Sequence, residues 1–539
     1  MKRFLQLTLI IALAVGAVSC KKDEIINTVK EAPKDTPTVK NLPPKQKITL
    51  SASSTKPGLR VAYDASKGTS VDDDNTLWQE GDQIAVYNVG VNDEKAVFTL
   101  VEGAGTSYGT FVGTIAPTGN YYGVYPASAA GDLDGTSIAI TLPATQSYAE
   151  GSFGRDAAVF AATSTTEGDD VVLHFEPLLG YLSLSLKTPS NTTRDASSIV
   201  GGHSVGSIVL HENSLGGVAL SGNATVDMSS ADYEHNIPPT LSAAQGGGLD
   251  VTLDCGSGVQ LNSTTPVEFI IAVPAGAFSK GLCATVNGTD GKKIMSLATT
   301  ASNTITANYI TQLPAQDVYN IEDVEGRRYP VAKIGSQFLM AENLQCLTYE
   351  EGIGDGITIT SSTAESKTDN NPHYFYQSGY GYLYNFAAAM GLPITDEHSD
   401  IPGDYPGKGQ GICPNGWHVP QVGELYGGLE AYVEENGARD RSISGSWMRT
   451  VSGWTDDGGS DFLQGTDDFG FSALPAGYGS KSNVTVGWAA CFITTTLYDA
   501  SSLYSLKLHS VDVGYGDRFS FEWWDLPIQS CAAVRCLKD

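Results

Sequence analysis

A chain of 539 residues exceeds what one hydrophobic core usually serves, so about three domains of ordinary size are expected. Sixty glycines, 25 tyrosines and only 17% charged residues favour short strands and frequent turns over long helices. The formal net charge of −28 excludes nucleic acid as a partner, because binding phosphate needs a basic face and none is visible; carbohydrate, protein and divalent cations stay open.

The first twenty residues begin with Lys2 and Arg3, continue as an apolar run from Phe4 and end in small residues before Cys20. This is the pattern of a secretory signal, too short for a comfortable membrane span. Ala17-Val18-Ser19-Cys20 is similar to a bacterial lipobox, which makes Cys20 the acylated first residue of the mature protein, as by palmitate, and its tie to outer-membrane lipid. Lys21, Asp23 and Glu24 resemble the signal that sends Bacteroidetes lipoproteins to the cell surface. Residues 21–46 hold four prolines and alternating charges with almost no aromatic residue, a composition that cannot bury enough surface to fold and reads as a disordered tether.

KITLSAS then alternates Ile48, Leu50 and Ala52 with polar residues and predicts a first strand. WQEGDQIAVYNV predicts a turn at Gly81-Asp82 and a strand with Ile84 and Val86 on one face. AVFTLVE, SIAITLP, DVVLHF and YLSLSLK follow as further strands. The order WQEGDQIAVY, YYGVYPAS, ITLPATQ, VVLHFEPLLGYLSLSLK, SIVLHENSLGGVALSGNATVDM and EFIIAVPAG resembles the fimbrillin-like (Mfa-like) proteins of Bacteroidales. That resemblance implies two transthyretin-like β-sandwich domains in tandem, expected over 47–190 and 191–315. The turn formers of TPSNTTRDASS, Thr188 to Ser198, mark the boundary.

A different pattern begins after Ala315. YPVAKIGSQFLMAENL, GYLYNFAAA, CPNGWHVP, DFGFSALPAGY and AAVRCLKD stand in the order of the Fibrobacter succinogenes major paralogous domain, and the segment 319–539 is similar to it. The implied fold is α+β, related to C-type lectins and to the formylglycine-generating enzyme. Two helices are predicted there: YLYNFAAAM, ended by Gly391, and a second from Pro420 to about Asn436 with Leu425, Leu429, Tyr432 and Val433 on one stripe and Gly437 to stop it. Gln421 and Val422 stand where relatives carry a capping Ser-Asp pair, so a weaker helix start is expected.

Eight cysteines less Cys20 leave seven, an odd number. The C-terminal resemblance implies that Cys413 pairs with Cys536, worth roughly 4–5 kcal/mol by loop-closure entropy. Cys491 and Cys531 stand where relatives have no cysteine and suggest a second bridge; Cys255 and Cys283, on candidate strands, are a further pair, which leaves Cys346 odd. Trp417 and His418, beside a half-cystine and without a second ligand pair at zinc spacing, read as packing and hydrogen-bonding residues.

Three other patterns invite chemistry. Gly202-His203-Ser204-Val205-Gly206 spells a hydrolase elbow, but a strand-like SIVLHENSLGG follows where that motif needs a helix. Asp456, Asp457, Asp461, Asp467 and Asp468, set among glycines, offer hard oxygens for Ca2+ without EF-hand spacing, and a solvated acidic loop is the plainer reading. Phe519, Phe521, Trp523 and Trp524 suit a core better than a sugar-stacking surface.

Together these features predict no enzyme but a surface-exposed lipoprotein: a tip or accessory fimbrillin of a pilus whose C-terminal domain adheres to a host or bacterial glycan or protein. In fimbrillin-type pili a protease cuts after an arginine, a strand is lost, and the next subunit's strand fills the groove. Arg60 in KPGLRVAYD matches that arginine, and other fimbrillin subunits are the implied partners. The alternatives are a stand-alone glycan- or protein-binding surface lipoprotein and a thiol-dependent modifying enzyme.

Overall fold

The computed structural model describes residues 43–53, 77–91, 94–167, 170–189, 204–212, 218–235, 237–243, 247–278, 281–299, 305–319, 321–362, 371–392, 409–436, 445–455, 462, 464–479, 486–499, 501–510 and 521–539. The fold is mainly β. Its early strands are β1 (Gln46–Ser53), β2 (Gln83–Asn88), β3 (Lys95–Glu102), β4 (Tyr108–Ile115), β5 (Tyr121–Tyr125), β6 (Ala130–Asp134), β7 (Ser137–Leu142), β8 (Thr145–Ala149), β9 (Ser152–Phe153), β10 (Phe160–Glu167), β11 (Asp170–Pro177) and β12 (Leu179–Lys187). The predicted strands KITLSAS, AVFTLVE, SIAITLP, DVVLHF and YLSLSLK are β1, β3, β7, β11 and β12.

Seven of these strands run in the order β1-β11-β10-β5-β2-β3-β4 and close through β1. β1 pairs antiparallel with β4 along all of Gln46–Ser53 and parallel with β11 at Ser51–Ser53. Trp78 fills the centre, fully buried and edge-on to Phe111, Tyr125 and Phe175 at centroid distances of 5.0–5.6 Å. The predicted turn is present: Gly81 takes φ +83°, and the Asp82 carboxylate accepts the Gln79 N–H (2.7 Å), the Tyr125 hydroxyl (2.9 Å) and the Arg155 guanidinium. β2 is buried on both faces from Ile84 to Tyr87, more than its alternation suggested, and buried Tyr87 donates to the Gly131 carbonyl of β6 (2.8 Å).

The next strands are β13 (Ser204–Glu212), β14 (Gly222–Asp227), β15 (Thr240–Ala243), β16 (Asp250–Gln260), β17 (Val267–Pro274), β18 (Leu282–Gly288), β19 (Lys293–Ala298), β20 (Ile310–Gln312) and β21 (Gln316–Asp317). β12 is flanked by β17 and by β20, and β7 and β8 reach over to pair with β14 and β16. One side chain completes a strand edge here: Gln146 donates to the Ala272 carbonyl (2.7 Å) and accepts its N–H (2.9 Å), as a neighbouring peptide would. The serine of the elbow motif, Ser204, opens β13, so it lies on a strand.

The C-terminal strands are β22 (Ile321–Glu322), β23 (Arg328–Tyr329), β24 (Val331–Ile334), β25 (Gln337–Met340), β26 (Thr360–Ser361), β27 (His373–Gln377), β28 (Gly381–Tyr384), β29 (Trp417–His418), β30 (Ala489–Leu497), β31 (Ser502–His509), β32 (Phe521–Pro527) and β33 (Leu537–Lys538). Residues Pro44–Asp539 form one unit, and a ten-stranded sheet, β29-β33-β25-β24-β19-β18-β13-β16-β8-β9, runs through it. The parallel pair β19–β24 joins its two halves, Met295 opposite Val331 through Ala298 opposite Ile334. Of the two predicted helices, YLYNFAAAM is helical only from Phe386, because Tyr382–Tyr384 pair with β27 as part of β28, while the second forms over most of its expected length. Phe386–Met390 (α1) is capped by Asn385, whose side chain accepts the Ala388 N–H, and ended by Gly391 at φ +65°. The second runs through Val422–Glu424 (α2), a π-helical stretch Leu425–Glu430 and Ala431–Asn436 (α3), burying Leu425, Leu429, Tyr432 and Val433. Its start is firmer than Gln421 and Val422 suggest: Glu424 accepts the Gln421 N–H (2.9 Å), and Thr496 accepts that of Val422 (3.1 Å).

Candidate functional site

The segment Gly411–Pro420 is a fastening. Cys413 and Cys536 form a disulfide across 123 residues, with Cα atoms 5.9 Å apart. Beside it β33 lies between β29 and β25, Trp417 opposite Lys538 and Leu339 opposite Leu537. Trp417 is fully buried, and its indole N–H has no hydrogen-bond partner among the described residues. His418, also buried, sets Nδ1 2.6 Å from Asp539 Oδ1 and Nε2 3.0 Å from Glu424 Oε2. The imidazole thus links the start of the second helix to β33, and both ring nitrogens are committed. Trp417 packs in the core and His418 is held by hydrogen bonds at both ring nitrogens.

The other expected bridges do not form. Along β30 and the segment Cys531–Val534, alternate residues face opposite cores: Cys491 joins Ile493, Trp417 and Val534, whereas Cys531 joins Ala533, Phe492 and Leu425. The two thiols therefore lie on opposite sides of the backbone, and Cys491 Sγ is 3.3 Å from Ser505 Oγ instead. Cys255 and Cys283 are kept apart by β13, which pairs with β16 on one edge and β18 on the other. Cys255 also faces the core of the second module, while Cys283 faces Gly470 from the C-terminal region. Cys346, the odd thiol, donates to the Thr348 carbonyl (3.1 Å). Burial pushes Cys255, Cys283 and Cys346 each up to about 12, so none is a thiolate at neutral pH.

Of the proposed calcium ligands, Asp456, Asp457 and Asp461 lie outside the described residues, as do Cys20 and Arg60. Asp467 and Asp468 sit in a tight loop where the C-terminal region meets β18 and β19. Asp467 (φ +52°) and Ser472 (φ +54°) both adopt left-handed backbone, and the loop is stapled by Asp467, which accepts the Ser472 N–H (2.6 Å) and hydroxyl. Lys293 of β19 reaches in, 3.7 Å from Asp467 Oδ2, and donates to the Gly470 carbonyl (3.3 Å) and to Ser472 Oγ. Gly470 is required: a Cβ there would stand 2.2 Å from Ser296 Cβ. Asp468 is buried and burial raises its carboxyl to about 6, with Asp467 adding to the rise and His211 and Thr466 opposing it. Asp467 thus holds the junction between two parts of the chain. Among the described residues, no group of three or more His, Cys, Asp or Glu is placed to hold a metal.

The residue sequence reasoning missed is Arg535. It is 2% exposed and donates to Asn343 Oδ1 (2.8 Å) and to the carbonyls of Met340 (3.0 Å), Phe471 (2.7 Å) and Ser472 (3.0 Å), between the rings of Phe471 and Phe492. Burial works against its charge, offset by Glu342 and Asp467. Being the lone charge in AAVRCL was the available signal. Of the aromatic cluster, Phe519 and the side chain of Phe521 lie outside the described residues, while Trp523 and Trp524 pack against opposite cores.

Residues 332–538 match the family model of the Fibrobacter succinogenes major domain, so the C-terminal region carries that domain, as its five sequence blocks implied. No curated protein matches the chain. Among solved structures it is similar to a provisionally assigned cell adhesion protein from Bacteroides uniformis, at 15% identity over 50% of this chain and 93% of that one, with a TM-score of 0.30. A fimbrial protein from Bacteroides ovatus matches at 10% identity over 90% and 99%, with a TM-score of 0.21. A fimbrial assembly protein from Parabacteroides distasonis matches at 8% identity over 53% and 98%, with a TM-score of 0.22.

Proposed function

We propose that the protein is a surface-exposed, lipid-anchored fimbrial adhesin, held in the outer membrane through acylated Cys20 until it is processed, and built into a pilus as a tip or accessory subunit. The observation that carries this reading is the position of β1. It is the one strand that closes the first module, bonded to β4 over eight residues and to β11 over three. Cleavage after Arg60 would release β1 with everything before it and open a groove between β4 and β11, lined where Leu50 and Ala52 now pack, for another subunit's strand.

Among the described residues no comparable strand is free to lend. β20 and β21 are paired with β12, and β33 is bonded on both sides. A subunit that accepts a strand and gives none caps a fibre, leaving the C-terminal domain to meet a host or bacterial glycan or protein. A thiol-dependent enzyme would need a reactive thiolate, and Cys255, Cys283 and Cys346 are buried and pushed up to about 12.

The test is the amino terminus of the protein recovered from filaments. Val61 is expected, and Arg60→Ala should keep the protein on the cell surface and out of filaments. Normal incorporation of Arg60→Ala, or acylated Cys20 on filament-bound protein, would overturn the route and leave the stand-alone lipoprotein.

A further inference from the structure

We propose that the tyrosine face of the β27–β28 hairpin is a binding platform for a neutral pyranose oligosaccharide; this rests on the adhesive reading above and gives it a ligand class. The antiparallel register sets Tyr374 opposite Tyr384 and Tyr376 opposite Tyr382, which puts four phenols on one face. Tyr382 meets Tyr374, Tyr376 and Tyr384 edge-on, at centroid distances of 4.8, 5.7 and 6.3 Å. The row is rooted at Tyr384, fully buried and donating to the carbonyls of Leu344 (3.2 Å) and Cys346 (2.8 Å). It rises through half-buried Tyr374 and Tyr382 to Tyr376, 56% exposed. The opposite face is spent on one core through buried His373 and through Phe375, and Tyr374 and Tyr382 lean on the other core, which holds Tyr384, so Tyr376 is the ring left open to a ligand. An exposed ring held this way keeps little freedom to lose on binding.

The fringe of the platform is polar. Arg327 lies over the Tyr382 ring (5.9 Å) with its guanidinium 3.7 Å from Glu325, and exposed Ser361 is the register partner of Tyr374 on the neighbouring strand. A pyranose offers an apolar C–H face and a rim of hydroxyls that donate and accept, which matches ring faces bordered by a guanidinium, a carboxylate and hydroxyls. Charge decides the rest. Arg327 is already countered by Glu325, and the chain's −28 repels anions, so neither an acidic sugar nor an acidic peptide is favoured. A basic peptide finds carboxylates across the surface and gains nothing particular from a patch whose carboxylate is paired.

The experiment is affinity electrophoresis of the full-length protein through gels carrying mannan, galactan, xylan, mixed-linkage glucan or polygalacturonate, beside adhesion to immobilised matrix proteins. At least one neutral polysaccharide should retard the wild type. Tyr376→Ala should weaken that retention at least tenfold, while Tyr376→Phe and Tyr498→Ala, an equally exposed ring outside the hairpin, should keep it. Retention by polygalacturonate alone, or equal retention of Tyr376→Ala, would overturn the proposal. Adhesion to matrix protein with no polysaccharide retention would sink the glycan platform and spare the adhesin; the absence of both would sink the two together.

Discussion

In the first module the barrel strands run five to eight residues and pair on both edges, whereas in the C-terminal domain every strand from β22 to β29, and β33, has two to five. Long strands carry their own ladder and need few fixed side chains beyond a central ring such as Trp78. Short strands bury little each and are pinned by contacts distant in sequence: the Cys413–Cys536 bridge, Arg535 drawing together residues 340, 343, 471 and 472, and His418 between Glu424 and Asp539. One chain thus relies on backbone continuity in its first module and on cross-links between distant residues where its strands are short.

The largest expected effect sets the two regions apart. Cys413→Ser should cost about 4–5 kcal/mol by the loop-closure estimate, confined to the C-terminal domain. Hydrogen exchange should then rise over 329–344 and 413–420 while β2–β5 stay protected; equal loss in both would show that the regions are not held separately. The reciprocal change, Trp78→Ala, removes a fully buried indole and should cost about 3–5 kcal/mol in the barrel. Arg535→Met leaves the carbonyls of Met340, Phe471 and Ser472 unpaired and should cost about 2–4 kcal/mol, and Arg535→Lys should rescue little because an ammonium cannot span four acceptors in a plane. Urea midpoints of the two variants would check this, and an Arg535→Lys midpoint equal to that of the wild type would show that the planar fork is not needed.

The smallest effect is a pH dependence. Asp468 sits at about 6 when folded, above the ordinary carboxylate value of about 3.9, so its contribution favours folding below pH 4 and is lost as pH rises through 6. Asp468→Asn should therefore stabilise the junction by about 1–3 kcal/mol at pH 8 and by almost nothing at pH 4. Urea midpoints across that range would check it, and a pH-independent difference would place the cost elsewhere.

How legible each part was follows from the same contrast. KITLSAS and SIAITLP announced their strands because alternation is local, and Gly81-Asp82 and Gly391 announced their turns because φ above zero selects glycine. The role of β1 was not legible, since closure depends on partners some 60 and 120 positions away. Nor was the fate of the cysteines: pairing Cys491 with Cys531 requires that both face the same core, and that parity is set by a register no local pattern contains. The weak start expected at Gln421 was corrected by Glu424 three residues on and by Thr496 from another strand, only the first of which a reader of the sequence could have found. Of the tyrosine platform the sequence shows HYFYQ and GYLY, but the sharing of one face appears only in the pairing.

The most direct measurement is mass spectrometry of the protein exported by its own cells, alkylated in denaturant without reduction and digested. A single linked peptide pair, Cys413 with Cys536, and alkylated Cys255, Cys283, Cys346, Cys491 and Cys531 are predicted. Alkylated Cys413 and Cys536, or Cys491 joined to Cys531, would contradict a C-terminal domain fastened by one covalent tie.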